Sequence, residues 1–379
     1  MIDFERKDRR MQIKGRLFEN IESYMTVENG KITGFGKAES GEILDFGENL
    51  ILPGFIDVHT HGAMGVDTMD ATDEAMKAMK AHMASHGVTS FLPTTVTMPT
   101  EALCDAIRAA KRNAKGQGAE ILGVHLEGPY FSPKVAGAQN PAYLKNPSTE
   151  DIDVILDAEP GFVRIMSLAP ELEGASAAIA HLRKRGVVAA MGHTAADYET
   201  AARAIACGVT EATHLFNCMT PLTHRAPGVV GAALEAPSVY AEIICDGVHV
   251  SAAAAKIAIR AKGSDKMILI SDSMRAAGMP DGEYDLGGQK MTVSEGVART
   301  ENGNLAGSTS NVLDCFRNAV KWGISLPEAV HMASTNPAAS IGASEKGNIR
   351  VGFDADFVVL NPQLELVATI IGGKVWKEA

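Results

Sequence analysis

Two histidines separated by a single residue, His59 and His61, follow the apolar segment 55–58. In an extended strand, residues i and i+2 point to the same face, so both imidazole rings project together, as two ligands of one metal ion require. An isolated pair of this kind is more often one core histidine and one loop residue. The rest of the chain therefore decides whether this pair belongs to a metal site.

Four further residues that can bind a metal ion or transfer a proton follow later apolar segments: Glu127, His193, His214 and Asp272. Taken alone, each has a structural explanation, because a carboxylate can cap a helix and a histidine can fill space. Four histidines and two carboxylates at strand ends on one rim, however, form a set that suits Zn²⁺ or a similar divalent ion. Because no cysteine belongs to the set, the pattern favours a catalytic rather than a structural metal site.

These residues are spaced along a chain that alternates between apolar strands and helices. We predict eight buried strands, at 55–59, 89–93, 121–126, 163–169, 187–191, 210–214, 241–245 and 267–271. One helix is predicted between Thr72 as N-cap and Gly87 as C-cap. The other helices are predicted at 101–115, 174–185, 197–207, 251–261, 310–321 and 327–340. Eight strand–helix units predict an α/β fold, a (β/α)8 TIM-like barrel, in which reactive residues lie at the C-terminal strand ends.

The two ends of the chain have a β pattern outside the barrel. Residues 11–52 contain short, partly alternating segments separated by turn residues, and the tail returns to the same pattern. We expect both ends to build one small β-sandwich domain, 1–53 plus 350–379, beside a barrel domain at 54–349. Within the barrel domain, the glycine-rich segment 279–309 is predicted to be a β insertion folded over the barrel mouth.

The composition is that of an ordinary globular chain, with 379 residues, 46% hydrophobic and 21% charged. A net charge of −11 argues against nucleic acid or an anionic membrane surface as the main partner, but not against a small anionic substrate held by a local cluster of Arg and His. Five scattered cysteines without a Cys-x-x-Cys pair indicate buried thiols in a reducing compartment. No segment approaches membrane-spanning length, and the N-terminus lacks the apolar core of a signal peptide, so we predict a cytoplasmic protein.

The order His-x-His, Glu, His, His, Asp on barrel strands, with a β domain from both termini, resembles the amidohydrolase superfamily. The segment PGFIDVHTHG at 53–62 and the tail GFDADFVVLN at 352–361 resemble the borders of that superfamily's barrel. Five further motifs resemble, in order, the N-acetylglucosamine-6-phosphate deacetylase family within it: HLEGP at 125–129, MGHT at 191–194, THLFNCM at 213–219, DGVH at 246–249 and LAGS at 305–308. The resemblance runs from about residue 28 to residue 360, nearly the whole chain.

The resemblance implies a role for each site residue. The implied ligands of the main metal ion are Glu127, His193 and His214. His59 and His61 would help to bind a second ion, with Glu127 bridging, so that each chain would hold one or two divalent ions, Zn²⁺ or Fe²⁺. Asp272 is the implied general base and acid. The implied contacts with the sugar phosphate are made by His249, Arg225, Ala138, Gln139, Asn217, Cys218, Leu305 and Ala306.

One departure from the family concerns Gln139, where some members carry a histidine that helps to polarise the acetyl carbonyl. An amide N–H can donate the same hydrogen bond but cannot be cationic, so a second metal ion or His249 would carry more of that role. The resemblance also implies a homodimer, since the loop around Arg225 lies near a subunit interface in related enzymes. Without the resemblance, a surface-exposed arginine would be the favoured interpretation.

The implied reaction is hydrolysis of the acetamide of N-acetylglucosamine 6-phosphate to acetate and glucosamine 6-phosphate. Deacetylation of the galactosamine epimer, or a cyclic-amidase or aminoacylase activity, stays open as an alternative. Many superfamily members bridge two metals with a carboxylated lysine, whereas Glu127 stands at the third strand here, which favours the deacetylase. A barrel that has lost its chemistry is a further alternative, against which the complete set of ligands argues.

Overall fold

The computed structural model describes residues 10–38 and 41–376. At its centre are eight parallel strands, numbered here as barrel strands 1 to 8: Phe55–Thr60, Val88–Pro93, Val124–Glu127, Val163–Leu168, Val188–Met191, Val209–Ala212, Tyr240–Ile243 and Met267–Leu269. Strands 1 and 2 are buried along their whole length, including polar residues such as Asp57, His59 and Ser90.

Hydrogen bonds close the eight strands into a barrel. Strands 3 to 8 pair in parallel in chain order, and strands 1 and 2 pair with each other. The Thr95 amide donates to the His125 carbonyl oxygen at 3.0 Å, next to the junction of strands 2 and 3. The Asp272 amide donates to the His59 carbonyl oxygen at 2.9 Å, which joins the end of strand 8 to strand 1. The predicted (β/α)8 barrel is therefore confirmed, and its closing bond lies between two predicted site residues.

A helix follows each barrel strand: Asp73–Ser85, Thr100–Arg112, Thr149–Leu156, Ala175–Lys184, Tyr198–Cys207, Gly228–Glu235, Ala252–Lys262 and Val312–Lys321. Two of them, at 149–156 and 228–235, were not predicted from the sequence. Each has only 8 residues, too short to show a clear helical period. The helix predicted at 327–340 is divided into Leu326–Val330, a π-helical turn at His331–Thr335 and Asn336–Ser340.

The ends of the first barrel helix follow from its flanking residues. The Thr72 side chain accepts a hydrogen bond from the Ala75 amide and so caps the N-terminus, as predicted. The prediction of Gly87 as C-cap was wrong by one residue, because His86 is the C-cap. Gly87 follows it with φ of 80°, and a Cβ there would lie 2.7 Å from a Val358 methyl carbon, so this turn needs glycine for conformation and for space.

Strands from both chain ends form one seven-stranded sheet, made of Met11–Leu17, Tyr24–Glu28, Lys31–Phe35, Glu42–Pro53, Phe357–Leu360, Leu366–Ile371 and Lys374–Val375. The central pairing is antiparallel, between 42–53 and 357–360. Ile32 exchanges backbone hydrogen bonds with Gly352 and Phe353 at 2.8 and 2.9 Å, so the sheet curls back on itself around its own apolar core. The expected pairing of the two termini is present, and the domain boundaries stay a prediction, since 1–9 and 377–379 lie outside the described residues.

The predicted β insertion is a three-stranded antiparallel sheet, Gly282–Leu286, Gln289–Ser294 and Val297–Thr300. Its inner side chains, including Leu286, Met291 and Val293, pack on Met274 just after strand 8 and on Val96 after strand 2. The insertion is thereby held against the C-terminal rim of the barrel. Over residues 10–38 and 41–376, no helix combines the length and apolar character needed to cross a membrane.

Candidate active site and metal centre

Six predicted residues meet at the C-terminal rim of the barrel, and Glu127 lies at their centre. Its Oε1 is 2.9 Å from His214 Nε2 and 3.2 Å from His193 Nε2, and its Oε2 is 3.5 Å from His61 Nε2. On the other side of the group, Asp272 Oδ1 lies 3.2 Å from His61 Nε2. His59 Nε2 lies 3.7 Å from Glu127 Oε1 and 3.4 Å from Asp272 Oδ1. The strand-end pattern therefore predicted a true spatial cluster.

Three of these residues turn into the mouth through an uncommon backbone conformation. His193, His214 and Asp272 have φ values of 45°, 32° and 49°, all in the left-handed region that non-glycine residues rarely adopt. Such conformations cost on the order of 1–3 kcal/mol each and are kept where the surrounding structure enforces them, often at functional sites. Here they rotate side chains away from the strand direction and towards Glu127.

Hydrogen bonds from behind orient the imidazole rings. His59 Nδ1 lies 2.9 Å from Glu242 Oε2, His61 Nδ1 lies 3.2 Å from the Thr94 carbonyl oxygen, and His193 Nδ1 lies 3.3 Å from the Val135 carbonyl oxygen. A carbonyl oxygen can only accept, so the Nδ1 of His61 and the Nδ1 of His193 each carry a proton. Each Nε2 faces the common centre, where it can bind a metal ion once any proton on it has left, as in metal sites whose ligands are oriented by a second layer of residues.

The donor set fits a divalent cation. Among the described residues, three groups each bring three ligand atoms within 4.8 Å of one another: the first is Glu127, His193 and His214, the second is His59, His61 and Asp272, and the third is His59, His125 and Glu242. In the first group the two histidine Nε2 atoms are only 3.1 Å apart, and in the second the buried His59 Nε2 has no hydrogen-bond partner. Ring nitrogens this close together, beside a shared carboxylate, are near enough to bind one cation in common. Nitrogen and oxygen donors without thiolate suit zinc or iron.

Glu127 and Asp272 are held in their charged forms. Burial opposes ionisation of Glu127, but hydrogen bonds and charge from His193 and His214 outweigh it and hold its pKa well below the usual range. Burial likewise opposes ionisation of Asp272, but the charge of His59 and the hydrogen bond from His61 lower its pKa to about 2. At neutral pH Asp272 is therefore a carboxylate that can accept a proton.

A cavity of about 400 Å³ opens above this cluster, between the barrel rim and the β insertion. Eleven of the predicted site residues line it: His61, Glu127, Ala138, Gln139, His193, His214, Asn217, Cys218, His249, Asp272 and Leu305. His59 lies beneath the cavity floor, fully buried. The volume is of the size that small-molecule sites commonly have.

Two predicted substrate contacts lie elsewhere. Arg225 is exposed in the irregular segment after strand 6 and does not line the cavity of its own chain. The Ala306 side chain is fully buried in the core under the β insertion, beside Met274 and Leu286. The structure therefore places neither side chain at the cavity wall, and the roles implied for both residues stay predictions.

His249 presents one ring nitrogen to the cavity. Its Nδ1 lies 2.6 Å from Asp246 Oδ2, and its Nε2 is buried without a hydrogen-bond partner. Burial lowers the pKa of His249, but the hydrogen bond and charge of Asp246 outweigh it, so that the pKa is raised above its ordinary value. A histidine held in this way can donate an Nε2–H to an anionic or carbonyl oxygen of a ligand.

Three residues of the site were missed in the sequence. Glu242, in the middle of strand 7, accepts hydrogen bonds from His59 Nδ1 and from the His214 amide at 3.0 Å. His125 packs edge-to-face on His59 with ring centroids 4.7 Å apart. The sequence signal for Glu242 was a glutamate within an otherwise apolar predicted strand. Lys134 lines the cavity from a loop, where its sequence gives no sign of that position.

Comparisons with known proteins extend over nearly the whole chain. A family model described as the amidohydrolase family matches residues 50–376. N-acetylglucosamine-6-phosphate deacetylase from Bacillus subtilis (strain 168) is 38% identical over 93% of this chain and 92% of that protein. N-acetylgalactosamine-6-phosphate deacetylase from Escherichia coli O157:H7 is 39% identical, covering 86% of this chain and 87% of its own length. The crystal structure of N-acetyl-D-glucosamine-6-phosphate deacetylase from Mycobacterium smegmatis has a TM-score of 0.91 and 34% identity, over 96% of this chain and 99% of the other.

Proposed function

This chain belongs to the amidohydrolase family, and from that premise we propose that it hydrolyses the acetamide of N-acetylglucosamine 6-phosphate to glucosamine 6-phosphate and acetate. The relative from Bacillus subtilis (strain 168) and the structure from Mycobacterium smegmatis both carry that activity in their names, and they match this chain at 38% and 34% identity over 93% and 96% of its length. The same comparisons support the enzyme class, a hydrolase acting on a linear amide bond.

One observation carries this proposal: a carboxylate, Glu127, shared by two histidine nitrogens at 2.9 and 3.2 Å, with a second carboxylate, Asp272, across the same cavity. Amide hydrolysis needs an activated water, a group that moves its proton and a donor for the carbonyl oxygen. The cavity contains candidates for each of these tasks. A barrel without activity would have no need to keep all of them.

We propose that Glu127, His193 and His214 hold the main divalent ion and that His59 and His61 take part in a second site. A bound divalent ion lowers the pKa of water to about 7 and polarises the amide carbonyl. Zinc is the proposed metal and iron the alternative, since both accept imidazole and carboxylate ligands.

Asp272 is the proposed proton carrier. As a carboxylate at neutral pH it takes a proton from the attacking water. When the C–N bond breaks, the same carboxyl group returns that proton to the sugar nitrogen. The nitrogen then leaves as a neutral amine, because an unprotonated amine nitrogen is a poor leaving group. His249, held by Asp246, donates from Nε2 to the substrate. The Glu242 carboxylate keeps the His59 ring from rotating during this sequence.

The test is direct. Purified protein is analysed for metal content, and acetate release from N-acetylglucosamine 6-phosphate is then followed before and after chelation and after addition of Zn²⁺ or Fe²⁺. Metal-dependent acetate release is the expected result. Protein that binds metal, remains folded and releases no acetate from this substrate would refute the proposed activity.

The galactosamine epimer is a second candidate substrate, because the relative from E. coli O157:H7 that is named for it is 39% identical to this chain. The two sugars differ only in the orientation of one hydroxyl group. Measuring kcat/KM for both phosphorylated sugars with the same preparation decides between them. If kcat/KM is lower for the glucosamine substrate than for the galactosamine substrate, the chain is assigned to the galactosamine reaction.

We further propose that the enzyme is a homodimer in which Arg225 binds the phosphate in the neighbouring subunit's cavity. The exposed position of Arg225, away from its own cavity, supports this arrangement. Mixing Arg225→Ala subunits with Asp272→Asn subunits tests it, because a hybrid dimer then contains one site with both residues intact. Activity well above that of either variant alone is expected, and unchanged low activity in a verified hybrid would contradict the arrangement.

We propose the cytoplasm as the compartment. Its support is that all five cysteines are free, three of them buried, as expected of a chain kept in reducing surroundings. Fractionation of cells that produce the protein, with detection in the cytoplasmic fraction, is the expected result. Detection in an oxidising compartment with paired cysteines would contradict it.

A further inference from the structure

Gln139 has both ends of its side-chain amide engaged. Its Oε1 accepts a hydrogen bond from the Thr97 backbone amide at 2.7 Å, and its Nε2 donates to Glu127 Oε2. The side chain is only 5% exposed. The two bonds assign the amide orientation without ambiguity, because a backbone N–H requires an oxygen and a carboxylate requires an N–H.

The loop that carries Gln139 is fixed in place close to the metal ligands. The backbone N–H of Gln139 donates to the Ala136 carbonyl oxygen at 3.0 Å, and this bond closes a tight turn. At its centre, Gly137 has φ of 62°, and a Cβ there would lie 2.7 Å from Cys218 Sγ and 3.2 Å from His193 Cε1. The turn therefore approaches Cys218 and His193 as closely as a glycine allows. This approach brings the side-chain amide of Gln139 within reach of Glu127.

The two oxygens of Glu127 thus have different partners. Oε1 faces His193 Nε2 and His214 Nε2, whereas Oε2 receives the Gln139 N–H and has His61 Nε2 at 3.5 Å. Without the Gln139 side-chain amide, the Glu127 carboxylate could rotate about its Cγ–Cδ bond, and its two oxygens could exchange positions. A hydrogen bond to a charged acceptor is stronger than one between neutral groups, so the Gln139 N–H favours one orientation of the carboxylate.

We propose that Gln139 is a positioning residue that ties Glu127 to the backbone of the loop after strand 2 and so fixes the oxygen that faces the main metal ion. The inference rests on the proposed function, in which Glu127 is a metal ligand. It differs from the role expected from the sequence, where Gln139 donates to the acetyl carbonyl. In this arrangement one N–H of the amide is already bonded to protein before substrate arrives.

The test measures metal affinity in the absence of substrate. Holoenzyme is titrated with a chromophoric chelator, and the Kd of Zn²⁺ is obtained for wild type and for Gln139→Leu, which keeps the approximate side-chain size and removes both hydrogen bonds. Substitutions of residues that orient metal ligands typically weaken metal binding 10- to 100-fold, so the Kd of the most tightly held ion should rise by about that factor.

A matched control is Gln12→Leu. Gln12 is also buried, 1% exposed, and its side chain is hydrogen-bonded to Thr26 and Gly36, but it lies in the terminal sheet away from the metal cluster. Its zinc affinity should equal that of wild type. A rescue variant, Gln139→His, offers a ring N–H to Glu127 and should bring the Kd back to within a few-fold of wild type.

The outcomes separate the possible roles. Wild-type zinc affinity in a folded Gln139→Leu variant would overturn the proposal. This holds whether kcat of the variant is lowered or unchanged. Weakened zinc binding in Gln12→Leu as well would also overturn it, since the effect would then reflect lost stability. Absence of acetate release by the wild-type enzyme would refute the proposed function and leave the zinc measurement unaffected.

Discussion

Replacing Asp272 by asparagine keeps the size of the side chain and removes its ability to take a proton. General acid–base catalysis contributes about 10²–10⁴-fold, equivalent to about 2.7–5.4 kcal/mol of activation free energy. Among the described residues that line the cavity, Glu127 is the only other carboxylic acid, and both of its oxygens have partners. Since no second free carboxylate from the described part of the chain lines the cavity to take the proton, we expect kcat to fall by about 10³-fold or more.

Metal content and substrate binding distinguish this loss from a collapsed site. Asp272 does not belong to the group formed by Glu127, His193 and His214, so the main ion should be retained in Asp272→Asn. The assay combines metal analysis, substrate binding by calorimetry and acetate release under single-turnover conditions. Asp105→Asn, a change of an exposed aspartate paired with Arg108, serves as the control. Near-wild-type turnover in metal-replete Asp272→Asn would refute the reasoning.

Three further predictions concern metal number, phosphate and pH. Replacing both His59 and His61 by alanine should lower the metal content from two ions per chain to one, and a wild-type content of one ion, unchanged in the variant, would contradict a second site. Arg225→Ala should lower kcat/KM about 10- to 150-fold for the phosphorylated sugar and hardly at all for the unphosphorylated one, whereas equal losses would show that Arg225 reads no phosphate. Burial lowers the pKa of Lys80 from 10.5 to about 8, so the unfolded chain binds more protons than the folded one between those values and stability rises with pH through that window. The free energy of unfolding, measured with urea at several pH values, should lack this rise in Lys80→Met. The same pH dependence in the variant and in wild type would contradict the prediction.

The sequence alone determined the barrel and the kind of chemistry at its mouth. A chain that alternates between buried strands and helices places every C-terminal strand end on one rim, so His59, His61, Glu127, His193 and His214 were predicted to meet before any contact was known. That prediction needed only local periodicity and chain order. The short helix at 149–156 was missed because 8 residues contain little more than two turns of pattern.

Tertiary structure alone decided which atoms face one another within that set. Glu242 lies behind His59 although 183 positions separate them in the chain, and Gln139 donates one N–H of its side-chain amide to Glu127. Arg225, which the family pattern assigns to the phosphate, lies on the surface of its own chain. These facts depend on barrel register, loop turns and left-handed backbone at the strand ends. None of them follows from local sequence, because each hydrogen bond joins segments that only the closed barrel brings together.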